Sequence, residues 1–158
     1  MSGCKFCQIV AGELAADLVG ETEAALVFLD YRPWRLGHCL VVPRFHWETI
    51  AEVPAEELGP LFTAVQLTAR AIETGLAAEG TFVAINNRVS QSVPHLHVHV
   101  VPRRRGDGLK GFFWPREKYR DRQQQEDYRR ALREAFLRLQ ERGSSGRAAP
   151  LSSPATQL

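Results

Sequence analysis

The sequence contains no run of about 18 apolar residues, which removes a membrane-spanning helix as its organising element. Its opening residues, Met1-Ser-Gly-Cys-Lys, lack the apolar stretch of a signal peptide, so the expected compartment is the cytoplasm. Cysteine is scarce: three in 158 residues, an odd number, do not make a disulfide framework. A reducing compartment and a metal role for the Cys4-x-x-Cys7 pair suit that usage better, while Cys39, flanked by strand residues, reads as core. Net charge is also small, at +2. Neither a nucleic acid nor a membrane is expected as partner. The charge is unevenly spread, however, with eight Lys/Arg against three Asp/Glu in residues 103–122. That is either a solvated basic surface or an attraction for an anionic ligand. No internal repeat is visible, and the last sixteen residues, 143–158, have almost no core formers, so a disordered tail is expected after a domain spanning 1–142.

What the chain has in concentration is histidine. Three of its five histidines fall in one stretch, His95-Leu96-His97-Val98-His99-Val100-Val101-Pro102-Arg103. Side chains at i, i+2 and i+4 leave a strand on the same face. Strict alternation therefore predicts a strand with three imidazoles in a row, about 6.5–7 Å apart, and Leu96, Val98 and Val100 turned into a core. A row of titratable rings has no packing value, which places that face on a cleft.

The remaining pattern fills in a domain of ordinary size, with 44% hydrophobic residues. Phe6, Ile9 and Val10 suggest a helical turn docked on the core. Residues 25–30 and 37–43 read as neighbouring antiparallel strands, and residues 81–86 as a third strand joined to the histidine strand through a polar loop. Leu58, Leu61, Phe62, Val65, Ala69, Ile72 and Leu76 recur at helical spacing after Pro54. Pro60 predicts a separate or kinked first turn there, and Gly80 a stop. A second helix is expected over about 121–142, with Tyr128, Ala131, Leu132, Ala135, Phe136 and Leu139 as its apolar stripe. Together these give an α+β domain on an antiparallel sheet.

On spacing alone, three histidines on one face admit a metal site, a nucleophile with acid–base partners, or a satisfied polar patch. The wider pattern is more specific. The stretch HLHVHVV closely resembles the signature of the histidine triad (HIT) family of nucleotide hydrolases and transferases. Phe28-Leu-Asp30 ahead of Pro33, Gly37-His38, Leu40-Val-Val-Pro-Arg44 and His46 match the family's N-terminal half in order and spacing. Asn86-Asn87 and Gln91-Ser92 resemble its phosphate-contacting loop. The likeness covers roughly residues 4–103.

The resemblance implies a HIT-like fold, a five-stranded antiparallel sheet with one long crossing helix and a C-terminal helix. It also implies roles. His97 would be the nucleophile that attacks an α-phosphorus and becomes a nucleotidyl-histidine. His99 would contact the phosphate and help the leaving group, and His38 would complete the polar site. Asn86, Gln91 and Ser92 would hold phosphate oxygens, Asp30 the ribose hydroxyls, and Phe28 and Tyr31 would line the base pocket of a nucleotide, a purine being favoured.

His at position 99 resembles the Hint and Fhit branches rather than the transferases, which implies a nucleoside phosphoramidase or dinucleoside polyphosphate hydrolase needing no cofactor for its chemistry. In a subset of bacterial members of that family the residues equivalent to Cys4, Cys7, His46 and His95 form a structural zinc site, which the resemblance implies here. The same branches imply a homodimer with one ten-stranded sheet, and Phe112, Phe113 and Trp114 are placed near that contact. Two other readings remain open: a nucleotide-binding regulatory protein with little turnover, and a metal-dependent hydrolase using the triad as ligands.

Overall fold

The computed structural model describes residues 3–109, 119–129 and 133. The chain divides into two compact units, Met1–Leu109 and Lys110–Leu158.

The first unit runs in the order α1 (Lys5–Val10), β1 (Leu18–Glu21), β2 (Ala25–Leu29), β3 (Cys39–Pro43), a 3-10 turn (Ile50–Glu52), α2 (Ala55–Leu76), β4 (Gly80–Ala84) and β5 (Val98–Arg103). The five strands form one sheet in the order β1-β2-β3-β5-β4, every neighbouring pair antiparallel. Both faces of the central strands are buried, so β2 and β3 read as continuous apolar runs. Ala25, Val27, Cys39, Val41, Val98 and Val100 pack with Leu61, Val65 and Ile72 of α2. The intervening Leu26, Phe28, Leu40 and Val42 pack on the opposite side with Phe6 of α1. Leu96, Val98 and Val100 are fully buried on the helix side, as their alternation with histidine predicts.

Several boundaries differ from the expectation. β1 was not foreseen, and all four of its residues are exposed, which leaves no apolar alternation to read. The histidine strand starts only at Val98, so of the triad His99 alone sits in the ladder. The facing strand ends at Pro43, which has no N–H to pair, and the backbone before Val98 is bonded outside the ladder instead: the Leu96 N–H donates to the carbonyl of Trp47, in the loop beyond β3, at 2.6 Å. α2 passes through Pro60 without interruption. Pro60 lies near the helix start on an exposed face, where the carbonyl it leaves without a helical partner is not sealed in the core. The helix stops at Ala77, in a left-handed conformation (φ 48°), and Gly80 opens β4.

In the second unit, residues 122–129 are helical, and Asp121 accepts the Gln124 N–H at 2.7 Å as a cap. Tyr119 and Tyr128 lie with ring centroids 5.8 Å apart. The expected apolar stripe beyond Tyr128, the aromatic cluster Phe112-Phe113-Trp114 and the tail 143–158 lie outside the described residues. Among the described residues no helix is long and apolar enough to cross a membrane.

Among the described glycines, the tightest approach is at Gly37, between β2 and β3. Its φ is +90°, and a Cβ there would stand 2.3 Å from Leu76 Cδ1 and 3.3 Å from Pro102 Cγ. Gly75, inside α2, has open space around its missing Cβ. Gly37→Ala should therefore cost roughly 2 kcal/mol from strain and overpacking, while Gly75→Ala should gain about 0.5–1 kcal/mol from helix propensity. Urea unfolding of the two variants, compared with the parent chain, measures both signs.

Candidate functional site

His97 and His99 stand on the α1 side of the sheet. His99 pairs in register with Leu40 of β3 and Ala84 of β4, which leaves its ring on the face away from α2. His97 is two residues earlier on the same face, and its ring centroid lies 4.9 Å from that of His99. This is closer than the spacing expected from strand rise, because the two rings tilt together edge to face.

Each ring has a different partner, and the partner sets its tautomer. The His97 Nδ1–H donates to the His95 carbonyl at 2.7 Å, so Nε2 carries the lone pair. Trp34 donates its backbone N–H to His38 Nδ1 at 3.3 Å. That makes His38 Nε2 the protonated nitrogen, and it donates to His99 Nδ1 at 3.0 Å. His99 consequently holds its own proton on Nε2. Among the described residues, this is the buried side-chain polar atom without a hydrogen-bond partner. Asp30 adds a carboxylate 3.5 Å from His38 Nδ1, while its other oxygen accepts the Arg32 N–H at 2.8 Å.

Burial dominates the electrostatics. It pushes His99 down to about 4, helped by His97 and His38 and opposed by Asp30. Burial likewise lowers His38, against the pull of Asp30, and lowers His97, against its bond to the His95 carbonyl and the influence of Asp30. All three shifts favour the neutral imidazole.

A cavity of about 340 Å³ opens beside these rings, within the range of small-molecule sites. Phe28, Asp30, Tyr31, Ser92, His97 and His99 all line it, as do Phe6 and Ile9 of α1. Tyr31 is 85% exposed at the rim. Asn86 and Gln91 are not among the lining residues. Gln91 is engaged elsewhere, accepting the Arg88 N–H at 2.7 Å and donating to the Glu48 carbonyl at 2.6 Å. Sequence reasoning gave no cleft role to Phe6 and Ile9, which line the cavity, or to Trp34, which is not among the lining residues but packs on the histidine pair. Phe6 sets its ring edge-on to His97 at 5.2 Å, and Trp34 stacks on His38 and His99. The only sequence signal for Trp34 is an indole in a short loop between Pro33 and Gly37.

A second cluster lies next to the first. Donor atoms of Cys4, Cys7, His46 and His95 are all within 4.8 Å of one another. Cys7 Sγ is 3.2 Å from His46 Nδ1, and Cys4 and Cys7 Sγ are each 3.5 Å from His95 Nδ1. The His95 Nε2–H donates to the Pro43 carbonyl at 2.9 Å, which turns the Nδ1 lone pair toward the sulfurs. Asp30, His38 and His99 also bring donor atoms within 4.8 Å, but His38 Nε2 and His99 Nδ1 are joined in one hydrogen bond.

The neutral, buried imidazoles give stability a pH dependence of definite sign. The folded chain holds His99 down at about 4 against 6.5 for the free ring, so between these values the unfolded chain binds the proton better. Stability is full above about pH 6.5 and falls as pH drops toward 4, by about 3 kcal/mol from His99 alone and with the same sign from His38. Urea midpoints at pH 7, 6, 5 and 4.5, taken with a chelator present, should fall steadily; a flat series contradicts the assignment.

Residues 11–106 match the HIT domain family. An uncharacterized HIT-like protein of Methanocaldococcus jannaschii is 42% identical over 107 residues, 66% of this chain and 82% of that protein. An adenosine 5'-monophosphoramidase of Schizosaccharomyces pombe is 33% identical over 114 residues, 71% and 83% of the two chains. Among solved structures, a Zn-bound histidine triad family protein from Mycobacterium smegmatis superposes with a TM-score of 0.65 at 37% identity, over 89% of this chain and 97% of that one. The matched span takes in β1 through β5 and all the histidines described above, and the chain belongs to the HIT domain family.

Proposed function

We propose that the protein hydrolyses nucleotides at an α-phosphate through a nucleotidyl group carried on His97, with a nucleoside phosphoramidate or dinucleoside polyphosphate as substrate. The observation that carries this reading is the His97 ring itself: neutral, lining the cavity, with Nδ1–H tied to the His95 carbonyl and the Nε2 lone pair left for phosphorus. The Nε2 pair forms a bond to phosphorus as the bond to the leaving group breaks, and the leaving atom takes the proton of His99 Nε2, which leaves His99 an anion held by the His38 Nε2–H and balanced by the cationic ring of the nucleotidyl-His97 beside it. Water then attacks phosphorus, its proton goes to His99 Nε2, and the electron pair of the P–N bond returns to His97. The sum is cleavage of one bond to phosphorus by one water.

The other assignments follow the lining of the cavity. Phe28, Phe6 and Ile9 give an apolar wall for a base, a purine being favoured, with Tyr31 at the mouth. Asp30 accepts from ribose hydroxyls and Ser92 holds phosphate oxygens where charge shifts during displacement, while Asn86, outside the lining, is assigned to the phosphate by the family resemblance alone. Gln91 shapes that loop through its own bonds to Arg88 and Glu48. The S. pombe relative supports the reaction class.

The Cys4, Cys7, His46 and His95 donors fit zinc. A tetrahedral ion with Zn–S near 2.3 Å and Zn–N near 2.0–2.1 Å sets its sulfur and nitrogen ligands roughly 3.6 Å apart, close to the 3.2–3.5 Å measured here. The Pro43 carbonyl on His95 Nε2 is the outer partner such a ligand requires. Cys4 and Cys7 with His46 and His95 would hold the metal, and an ion held by all four would tie α1 to the sheet. Thiolate ligands suit a cytoplasmic location. The homodimer is assigned to the β4 edge, whose five-residue pairing with β5 is regular, since β1 at the other edge carries a bulge that spoils further pairing.

Two outcomes test these assignments. His97→Ala should lose roughly 10³-fold or more in turnover of an adenylyl amide and keep its thermal midpoint, and quenched mass analysis of the parent chain during turnover should find the adenylyl group on His97. Full activity in the variant, or the adduct elsewhere, refutes the mechanism. Protein purified without added metal should hold close to one zinc per chain by elemental analysis. The ion should be lost in Cys4→Ser/Cys7→Ser with a lowered melting temperature; metal-free parent protein refutes the structural site.

A further inference from the structure

Trp34 has no place in the assignments above, yet it makes three contacts to the histidine pair. Its backbone N–H donates to His38 Nδ1 at 3.3 Å. Its indole stacks on His38, with centroids 4.9 Å apart and planes at 28°, and on His99, at 4.6 Å and 21°. One indole therefore covers both rings of the His38–His99 hydrogen bond. The residue remains 52% exposed, so it is not a core side chain that meets histidine by accident of packing. Its loop is held in place by its own closure: the Asp30 N–H donates to the His38 carbonyl, the His38 N–H donates to the Arg35 carbonyl, both at 2.9 Å, and Gly37 passes tightly between Leu76 and Pro102.

The pair beneath Trp34 has two possible proton arrangements, and they have opposite chemical consequences. With His38 Nδ1 as acceptor, the proton on His38 Nε2 points to His99 Nδ1, and His99 keeps Nε2–H for a ligand. With His38 Nδ1 protonated toward Asp30 Oδ2, at 3.5 Å long for a hydrogen bond, His38 Nε2 becomes the acceptor and His99 turns its lone pair outward. Only the first arrangement supplies a proton to a departing group. Both arrangements keep the rings in the same positions, so the choice between them rests on the Trp34 N–H at His38 Nδ1, and the indole lying flat on both rings keeps that N–H seated on the nitrogen.

We infer that Trp34 is a positioning residue, whose stacked indole and backbone N–H hold the His38–His99 pair in the single tautomer that presents His99 Nε2–H to the leaving group. It touches no reacting atom. It rests on the proposed hydrolysis only for its kinetic consequence, since the tautomer is a property of the free protein.

The test has two arms. Nitrogen-15 spectra of the imidazoles should show His38 protonated at Nε2 and His99 at Nε2 in the parent chain and in Trp34→Phe, with mixed tautomers in Trp34→Ala; Trp34→Leu replaces the Ala variant should the latter not fold. With AMP amides, Trp34→Ala should lose about 10-fold or more in kcat for an unactivated amine leaving group, which needs the proton, and much less for AMP p-nitrophenyl ester, which does not. Trp34→Phe should restore the amine rate. An unchanged tautomer pattern in Trp34→Ala, a Phe variant no better than Ala, or equal loss on both leaving groups overturns the inference. The spectra need no substrate, so a chain without turnover fails the hydrolysis reading while the tautomer result still decides the role of Trp34.

Discussion

The structure turns on the imidazole and carbonyl of His95. Its ring donates from Nε2 to Pro43 at the end of β3 and faces Cys4 and Cys7 with Nδ1, while its carbonyl accepts the Nδ1–H of His97. Three parts of the chain meet there: α1, the end of β3 and the approach to β5. A helix of six residues has no stability of its own, so α1 exists because Phe6 is buried and the cysteines beside it have partners in the sheet. Phe6 is at the same time a wall of the cleft against His97. Whatever ties the cysteines to His95 and His46 therefore also sets the width of the cleft and the orientation of the ring in it.

Identical side chains two residues apart acquire different chemistry through what each Nδ1 meets. For His95 it is sulfur, for His97 a backbone carbonyl, and for His99 the neighbouring imidazole. An acceptor at Nδ1 forces the lone pair to Nε2, whereas a donor at Nδ1 forces the proton there, so Nε2 of His97 is left an acceptor and Nε2 of His99 a donor. Burial removes the charge from each, which allows rings of the same kind to crowd together without repulsion.

Much of this was legible in the sequence where a period or a linked motif carried it. Alternation placed Leu96, Val98 and Val100 in the core and the histidines opposite; helical spacing found α2; the joint pattern from Phe28 to His99 gave the family. What was not legible depends on partners distant in sequence. β1 is exposed on every residue and owes its conformation to pairing with β2, not to its own pattern. The start of β5 is decided by Pro43, 55 positions before Val98. Trp34 reads as a loop aromatic until the fold sets it over two imidazoles. The bond that Gln91 makes to Glu48 depends on a loop 43 positions away and has no signal in its own neighbourhood.

The sheet register is what keeps these chemistries apart. A slip of one residue in β5 would bring His97 and His99 against α2 and turn Val98 and Val100 into the cleft, losing the core and the site together. The two central pairings resist this in different ways. β2 and β3 are matched over five consecutive pairs from Ala25–Pro43 to Leu29–Cys39, with buried side chains on both faces. β3 and β5 share only three pairs, Cys39–Val100 to Val41–Val98, and depend on what brackets them. At one end the bracket is His95, bonded to Pro43 and facing the cysteines; at the other it is Gly37, closed on Leu76 and Pro102. A short, weakly specified ladder at the centre of the sheet is thus pinned at both ends by contacts that a chain without the cysteine–histidine cluster or the left-handed glycine would lack. The polar face of β5 can remain polar because its position does not depend on that face burying apolar surface.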